Sequence, residues 1–69
     1  MNRDLQEARS EAEAILELSP EQLNSLFFQQ AMRRNLSRTV RHLDKLVEAG
    51  GDDKKLGKTA LKKLGFWEN

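Results

Sequence analysis

Apolar residues recur along the chain at steps of three and four. Leu5, Ala8, Ala12 and Ile15, with Leu16 alongside, mark one face of a helix over about residues 3–18, while Glu7, Glu11, Glu13 and Glu17 take other positions. The two central alanines let a neighbouring helix approach closely. Leu18-Ser19-Pro20-Glu21-Gln22-Leu23 then punctuates the chain. Ser19 is placed to cap a new helix, Pro20 suits its first position, and Gln22 sits where a capping box needs it. Leu18 and Leu23 fall at the positions of a hydrophobic staple. A helix therefore ends near Leu18 and another starts at Pro20.

This second stretch runs to Ala49, where Gly50-Gly51 stops it. Its apolar pattern changes sides. Leu23, Leu26, Phe27 and Ala31 cluster together, whereas Leu36, Val40, Leu43 and Val47 follow at steps of four, three and four. At about 100° per residue the second set lies roughly opposite the first. Two arrangements satisfy this. The helix breaks within residues 33–37, with Asn35 or Ser37 capping the later half, or a single helix of ~45 Å carries neighbours on opposite sides. A last helix is expected over residues 53–64. Asp52-Asp53 would complement its N-terminus, and Leu56, Ala60, Leu61 and Leu64 form its inner face. Gly57 lowers its helix propensity by roughly 1 kcal/mol. Gly65 is placed as a C-terminal cap, with Phe66 reaching back towards Leu61 and Trp67 next.

Composition narrows the class. The 69 residues include 11 Leu and 6 Ala, and among apolar residues only Ile15, Val40 and Val47 are β-branched, which disfavours a sheet. The expectation is one all-α domain over residues 1–69, a small bundle of three helical segments with the middle one free to break into two. No apolar run approaches the roughly 20 residues of a membrane span, and no signal-peptide pattern opens the chain, so a cytoplasmic location is expected. There is no Cys, which removes disulfides, thiolate nucleophiles and cysteine metal clusters together.

The same features argue against catalysis. A domain this small buries only about 60% of its unfolded surface, and a shaped pocket would compete with its core for the same side chains. His42 is the only histidine. No serine has a paired base in view, and the acidic first helix lacks the Glu-x-x-His pairs of carboxylate metal bundles. The reading is of a non-enzyme without cofactor, metal or small-molecule substrate.

Charge is unevenly placed behind a net value of +1. Residues 1–18 hold five acidic and two basic side chains, whereas residues 52–63 hold five basic and two acidic. Between them Arg34, Arg38, Arg41 and Lys45 recur at steps of four, three and four, opposite Leu36, Val40, Leu43 and Val47. Such a stripe can lie along phosphates or remain a solvated face trimmed by pairs such as Arg41–Asp44. The isoelectric point, near 8.1, falls below the above-9 value of a dedicated nucleic-acid domain.

The sixteen residues Asn35-Leu36-Ser37-Arg38-Thr39-Val40-Arg41-His42-Leu43-Asp44-Lys45-Leu46-Val47-Glu48-Ala49-Gly50 resemble the recognition helix of winged-helix repressors. The resemblance implies a helix in the major groove with contacts from Ser37, Arg38, Arg41 and His42. Lys45 on the same stripe would add a phosphate contact. The residues that follow, Gly51-Asp52-Asp53-Lys54-Lys55, lead into a helical pattern rather than the paired strands of a wing.

Aromatic residues supply the leading functional expectation. Phe28 points about 100° away from Phe27 and cannot share its position fully, and Phe66 and Trp67 pose the same question at the C-terminus. Burying a large aromatic contributes on the order of 2–3 kcal/mol, so several left outside a marginal core imply a covering surface. The chain therefore reads as a helical protein-interaction module, a small adaptor or regulator. Phe28, Phe66 and Trp67 would be its anchors. Arg34, Arg38 and Arg41 would steer an acidic partner, and the acidic first helix would offer a complementary surface to a second copy. A nucleic-acid regulator using residues 34–45 is the alternative.

Overall fold

A computed structural model of the chain describes residues 3–28 and 30–67, with side chains described outside residues 27–35. Four helices follow one another among these residues: α1 (Arg3–Leu16), α2 (Pro20–Phe28), α3 (Gln30–Ala49) and α4 (Gly51–Leu64). The fold is a small all-α arrangement, with four helices where three segments were expected.

The turn between α1 and α2 is the capping box read from the sequence. The Ser19 N–H donates to Gln22 Oε1 at 2.9 Å, and the Gln22 N–H donates to Ser19 Oγ at 3.1 Å. Two backbone donors that the start of α2 would leave unpaired are satisfied in this way. α1 stops at Leu16 rather than Leu18, and its end is held from outside. Lys63 Nζ of α4 donates to the carbonyl oxygens of Leu16 and Leu18, each at 2.7 Å. A cation there satisfies open carbonyls and complements the negative end of the helix dipole.

The middle stretch divides, but not within residues 33–37. α3 is continuous through them, with α2 bounded at Phe28 and α3 at Gln30. Nothing in Arg33-Arg34-Asn35-Leu36-Ser37 removes a backbone donor, so the helical ladder passes through intact. A straight helix over residues 20–49 would span ~45 Å. The longest dimension of the molecule is 34 Å, so α2 and α3 differ in direction. Leu23 and Leu26 of α2 are partly buried against the core.

α1, α3 and α4 pack mutually. Asp4 faces Lys45 and Glu11 faces His42, so α1 and α3 run antiparallel. Arg9 meets Asp53 and the end of α1 meets Lys63, so α1 and α4 run parallel. Ala8, Ala12 and Ile15 from α1, Leu43 and Leu46 from α3, and Ala60, Leu61 and Leu64 from α4 form the buried core. Ala8 and Ala12 are fully buried, which bears out the close approach expected there.

Leu46 also is fully buried, outside the Leu36, Val40, Leu43 and Val47 set expected to face inward. α3 lies between two helices and so buries a wider arc than one stripe. Leu36, Val40 and Val47 are half-buried at its margins. Gly57 supplies the matching concession on α4. A Cβ there would sit 2.9 Å from the Leu43 carbonyl oxygen and 3.0 Å from Leu46 Cβ. The cost in helix propensity is thus offset by backbone approach.

The α3–α4 turn differs from its expected form. Gly50 and Gly51 have φ of 79° and 60°, α4 begins at Gly51 rather than residue 53, and Gly50 occupies the cap position with no side-chain cap bond. Asp53 is drawn instead to α1. Arg9 donates through Nε to Asp53 Oδ1 at 2.7 Å and through Nη2 to Oδ2 at 2.9 Å. These hydrogen bonds outweigh the opposing desolvation and, with the Arg9 charge, hold the Asp53 carboxyl below its ordinary value of 3.8. A depressed carboxyl stabilises the fold above the unfolded-state value, and the contribution is lost as pH falls through the folded one. Asp53→Asn is therefore expected to lower the urea midpoint modestly at about pH 7 and to match the parent at about pH 2. A gap between the two proteins that did not close in acid would show that the pair carries no such linkage.

Candidate interaction surface

α3 has 20 residues against 14 each in α1 and α4. At 1.5 Å per residue it outreaches both by ~9 Å. Its C-terminal end is tied to α4 through Gly50, so the excess falls towards its N-terminal half. There Leu36 and Val40 have less to cover them than Leu43 and Leu46.

The C-terminus of α4 brings an aromatic to this place. Gly65 adopts the left-handed conformation, with φ 87° and ψ 13°. Its N–H donates to Lys62 O at 3.0 Å, and the Phe66 N–H donates to Leu61 O at 2.9 Å. This is a Schellman pair, which reverses the chain where an L-residue would be strained. Phe66 meets Leu61 through this backbone bond, where a hydrophobic contact was expected, and its side chain faces α3. Leu36, Ser37, Val40, Arg41 and Phe66 line an open groove of about 340 Å³. Phe66 remains 51% exposed.

Trp67 goes the other way. It is half-buried against the core, and Lys58 Nζ lies 5.3 Å from its ring centroid, within cation–π range. Of the neighbouring aromatics, Phe66 is the ring presented outward, and Trp67 closes the bundle. The side chains of Phe28 and Arg34, also expected at the surface site, lie outside the described residues.

The basic stripe is divided by its neighbours. Arg38 and Arg41 are exposed and make no ion pair among the described residues. His42 turns to α1, where Nδ1 lies 2.9 Å from Glu11 Oε2 with the ring about four-fifths covered. A carboxylate can only accept, so Nδ1 carries the hydrogen. Lys45 faces Asp4 at 3.9 Å, a loose contact between half-exposed groups. Ser37 is exposed beside Arg38. The structure thus brings Phe66, Ser37 and Arg41 together, leaves Arg38 on the exposed face of α3, and separates His42, Lys45 and Trp67 from the groove.

Two residues of this groove, Leu36 and Val40, were legible only as core positions, because periodicity marks an apolar face without marking where its cover ends. The pairing of His42 with Glu11 had no sequence signal at all, since the residues are 31 positions apart.

Other depressions are less suited to hold a ligand. One, about 540 Å³, lies along Arg3, Gln6, Glu7, Ser10 and Glu11, the outer face of one helix. Another joins Asp4, Leu5, Lys45, Glu48 and Ala49 and has a mainly charged rim. Among the described residues no three His, Asp or Glu side chains are grouped to hold a metal ion, and no helix is long and apolar enough to cross a membrane. The helical pattern read after Gly51 is α4, in the place where a winged-helix repressor would have its wing. No protein-family model, no curated protein and no solved structure matches the chain.

Proposed function

We propose that the protein is a noncatalytic interaction module that receives a protein partner in the groove between α3 and Phe66. The observation that carries this reading is Phe66 itself. A large ring is held half in water by a rigid helix cap, beside Leu36 and Val40, and covering such apolar surface is the main source of binding free energy. Arg41 lines it, and Arg38 stands exposed one turn earlier on α3, both without an ion pair among the described residues, which favours an acidic partner and speeds its encounter at low salt. A phosphate backbone would find the same two arginines. It would also meet α1 beside His42 and Lys45, where Glu11 and Asp4 oppose it.

The test is a photo-crosslinking amino acid placed at Ser37, in the groove, and separately at Ser10, on the outer face of α1. Both proteins are irradiated in a lysate of the source cells, with and without nuclease. Protein adducts from position 37 alone, unaffected by nuclease and lost when Phe66→Ser is added, are the expected result. Equal labelling from both positions, labelling that nuclease abolishes, or none at all would each reject the reading.

A further inference from the structure

We infer that α4 presents a second interaction surface, apart from the groove, and that it takes the phosphate backbone of a nucleic-acid duplex. Lys54, Lys58 and Lys62 stand at steps of four along α4, with Lys55 beside them. At about 100° per residue the four fall within one arc of about 100°, outside the arc of Gly57, Ala60, Leu61 and Leu64, which are buried. None of the four lines the groove. Lys54, Lys55 and Lys62 are exposed, and the Lys58 ammonium rests over Trp67, a contact that keeps its charge.

Folding alone does not require this pattern. Like charges four residues apart on a helix repel, and Lys54 and Lys55 stand near a helix N-terminus, where cations oppose the dipole. Elsewhere in the bundle opposite charges meet, as Arg9 does with Asp53. Residues 54–67 contain five lysines and no carboxylate. Asp52 of α4 and Asp44 and Glu48 of α3 form no ion pair with the four lysines among the described residues. The net charge of +1 conceals the arc, because four of the eleven acidic residues lie on α1. An anion laid along the arc relieves its repulsion.

The kind of anion follows from what the arc lacks. Leu61 and Leu64 are buried and Leu56 half-buried, so this face has no apolar side chain to insert into a bilayer. Trp67 is half-buried beneath Lys58, so the affinity does not come from base stacking. What remains is charge in a straight row. Lys54 to Lys62 span ~12 Å along the helix, a length over which a duplex presents about seven phosphates in rigid rows. Lysines alone contact phosphate as point charges, so the binding is independent of base sequence.

The experiment follows the anisotropy of a fluorescent DNA duplex of about 20 base pairs, titrated with the full chain in about 50 to 200 mM salt. Four phosphate contacts give a slope of log affinity against log salt of about −3.6, a loss of roughly 150-fold over that range. Lys54→Gln with Lys62→Gln should bring the slope to about −1.8 and the loss to roughly 12-fold, with helicity unchanged by circular dichroism. Arg3→Gln with Lys45→Gln removes the same net charge from α1 and α3 and should keep the parent's slope. A duplex of unrelated sequence should bind equally well. No binding by the parent at the lowest salt, an α4 variant with the parent's slope, or an equal fall in the α1 and α3 variant would overturn the assignment. So would tighter binding to phosphatidylserine vesicles or to poly-glutamate at equal charge concentration, which would give the face to a membrane or to an acidic protein. The groove takes no part in this contact, so labelling from position 37 and binding of the duplex can fail separately.

Discussion

Leu43→Ala is expected to destabilise the protein by about 2–5 kcal/mol, the range for emptying a fully enclosed leucine site. Leu43 has no exposed surface and belongs to the cluster that joins α1, α3 and α4. The loss includes both the transfer of its methyl groups and the cavity left behind, because α1 and α4 cannot close the gap without breaking their own contacts. Stability of roughly 0.05–0.15 kcal/mol per residue gives a chain of this length roughly 3–10 kcal/mol in all. The substitution should therefore leave a substantial unfolded population without denaturant. Urea denaturation followed by circular dichroism measures it, with Leu16→Ala as a control at the exposed end of α1. A midpoint for Leu43→Ala equal to that of the control would mean that the three helices do not close around this residue.

Gly57→Val is the second large effect, and two opposing contributions decide its sign. Replacing a helical glycine normally stabilises by up to about 1 kcal/mol through restricted backbone freedom. At this position the new Cβ meets the Leu43 carbonyl oxygen at 2.9 Å and Leu46 Cβ at 3.0 Å, with Val47 Cγ2 at 3.2 Å. The first of these is backbone inside a continuous helix and cannot swing away. α4 must move off α3, which loosens Leu46, Leu61 and Ala60 together. Overpacking of this kind costs about 1–3 kcal/mol or more, and valine adds two methyl groups beyond the Cβ. A net loss is expected, seen as a lower melting temperature. A higher one would show that α3 and α4 are not in close contact at residue 57.

The interaction reading has a different dependence on these residues. Phe66 is held by its own helix cap, and Arg38 and Arg41 stand on an exposed helical face. Changes at these positions should alter association with little effect on the fold, whereas Leu43 and Gly57 act through stability alone. Comparing the two sets separates a binding defect from an unfolded protein.

Local signals were the most legible part of the chain. Ser19 and Gln22 pair as their spacing dictates, and Gly65 turns the end of α4 with the two backbone bonds its position predicts. Each depends on atoms within five residues of one another, so the sequence carries the whole interaction. The exposed arginines and the apolar stripes of α1 and α4 were readable for a similar reason, since helical periodicity assigns them to faces. Asp53 shows where such reasoning ends. Its place before a helix predicted a cap, but Arg9 offers two charge-assisted hydrogen bonds from 44 residues away, and those satisfy the carboxylate better.

The candidate site was visible only in fragments. Phe66, Ser37 and Arg41 were each singled out, in two separate functional readings, and the packing of α4 on α3 joins them into one surface. Leu36 and Val40 entered that surface because α3 is longer than its neighbours, a comparison that requires all three helix lengths and their directions. Residue type and spacing were sufficient for the helices, their caps and the all-α class, because those are settled by forces acting within a turn or two of chain. Which side of α3 is covered twice, where its cover ends, why Gly57 is a glycine and which carboxylate faces His42 were decided by the docking of distant helices. Their free energy resides in contacts between residues that no local pattern relates.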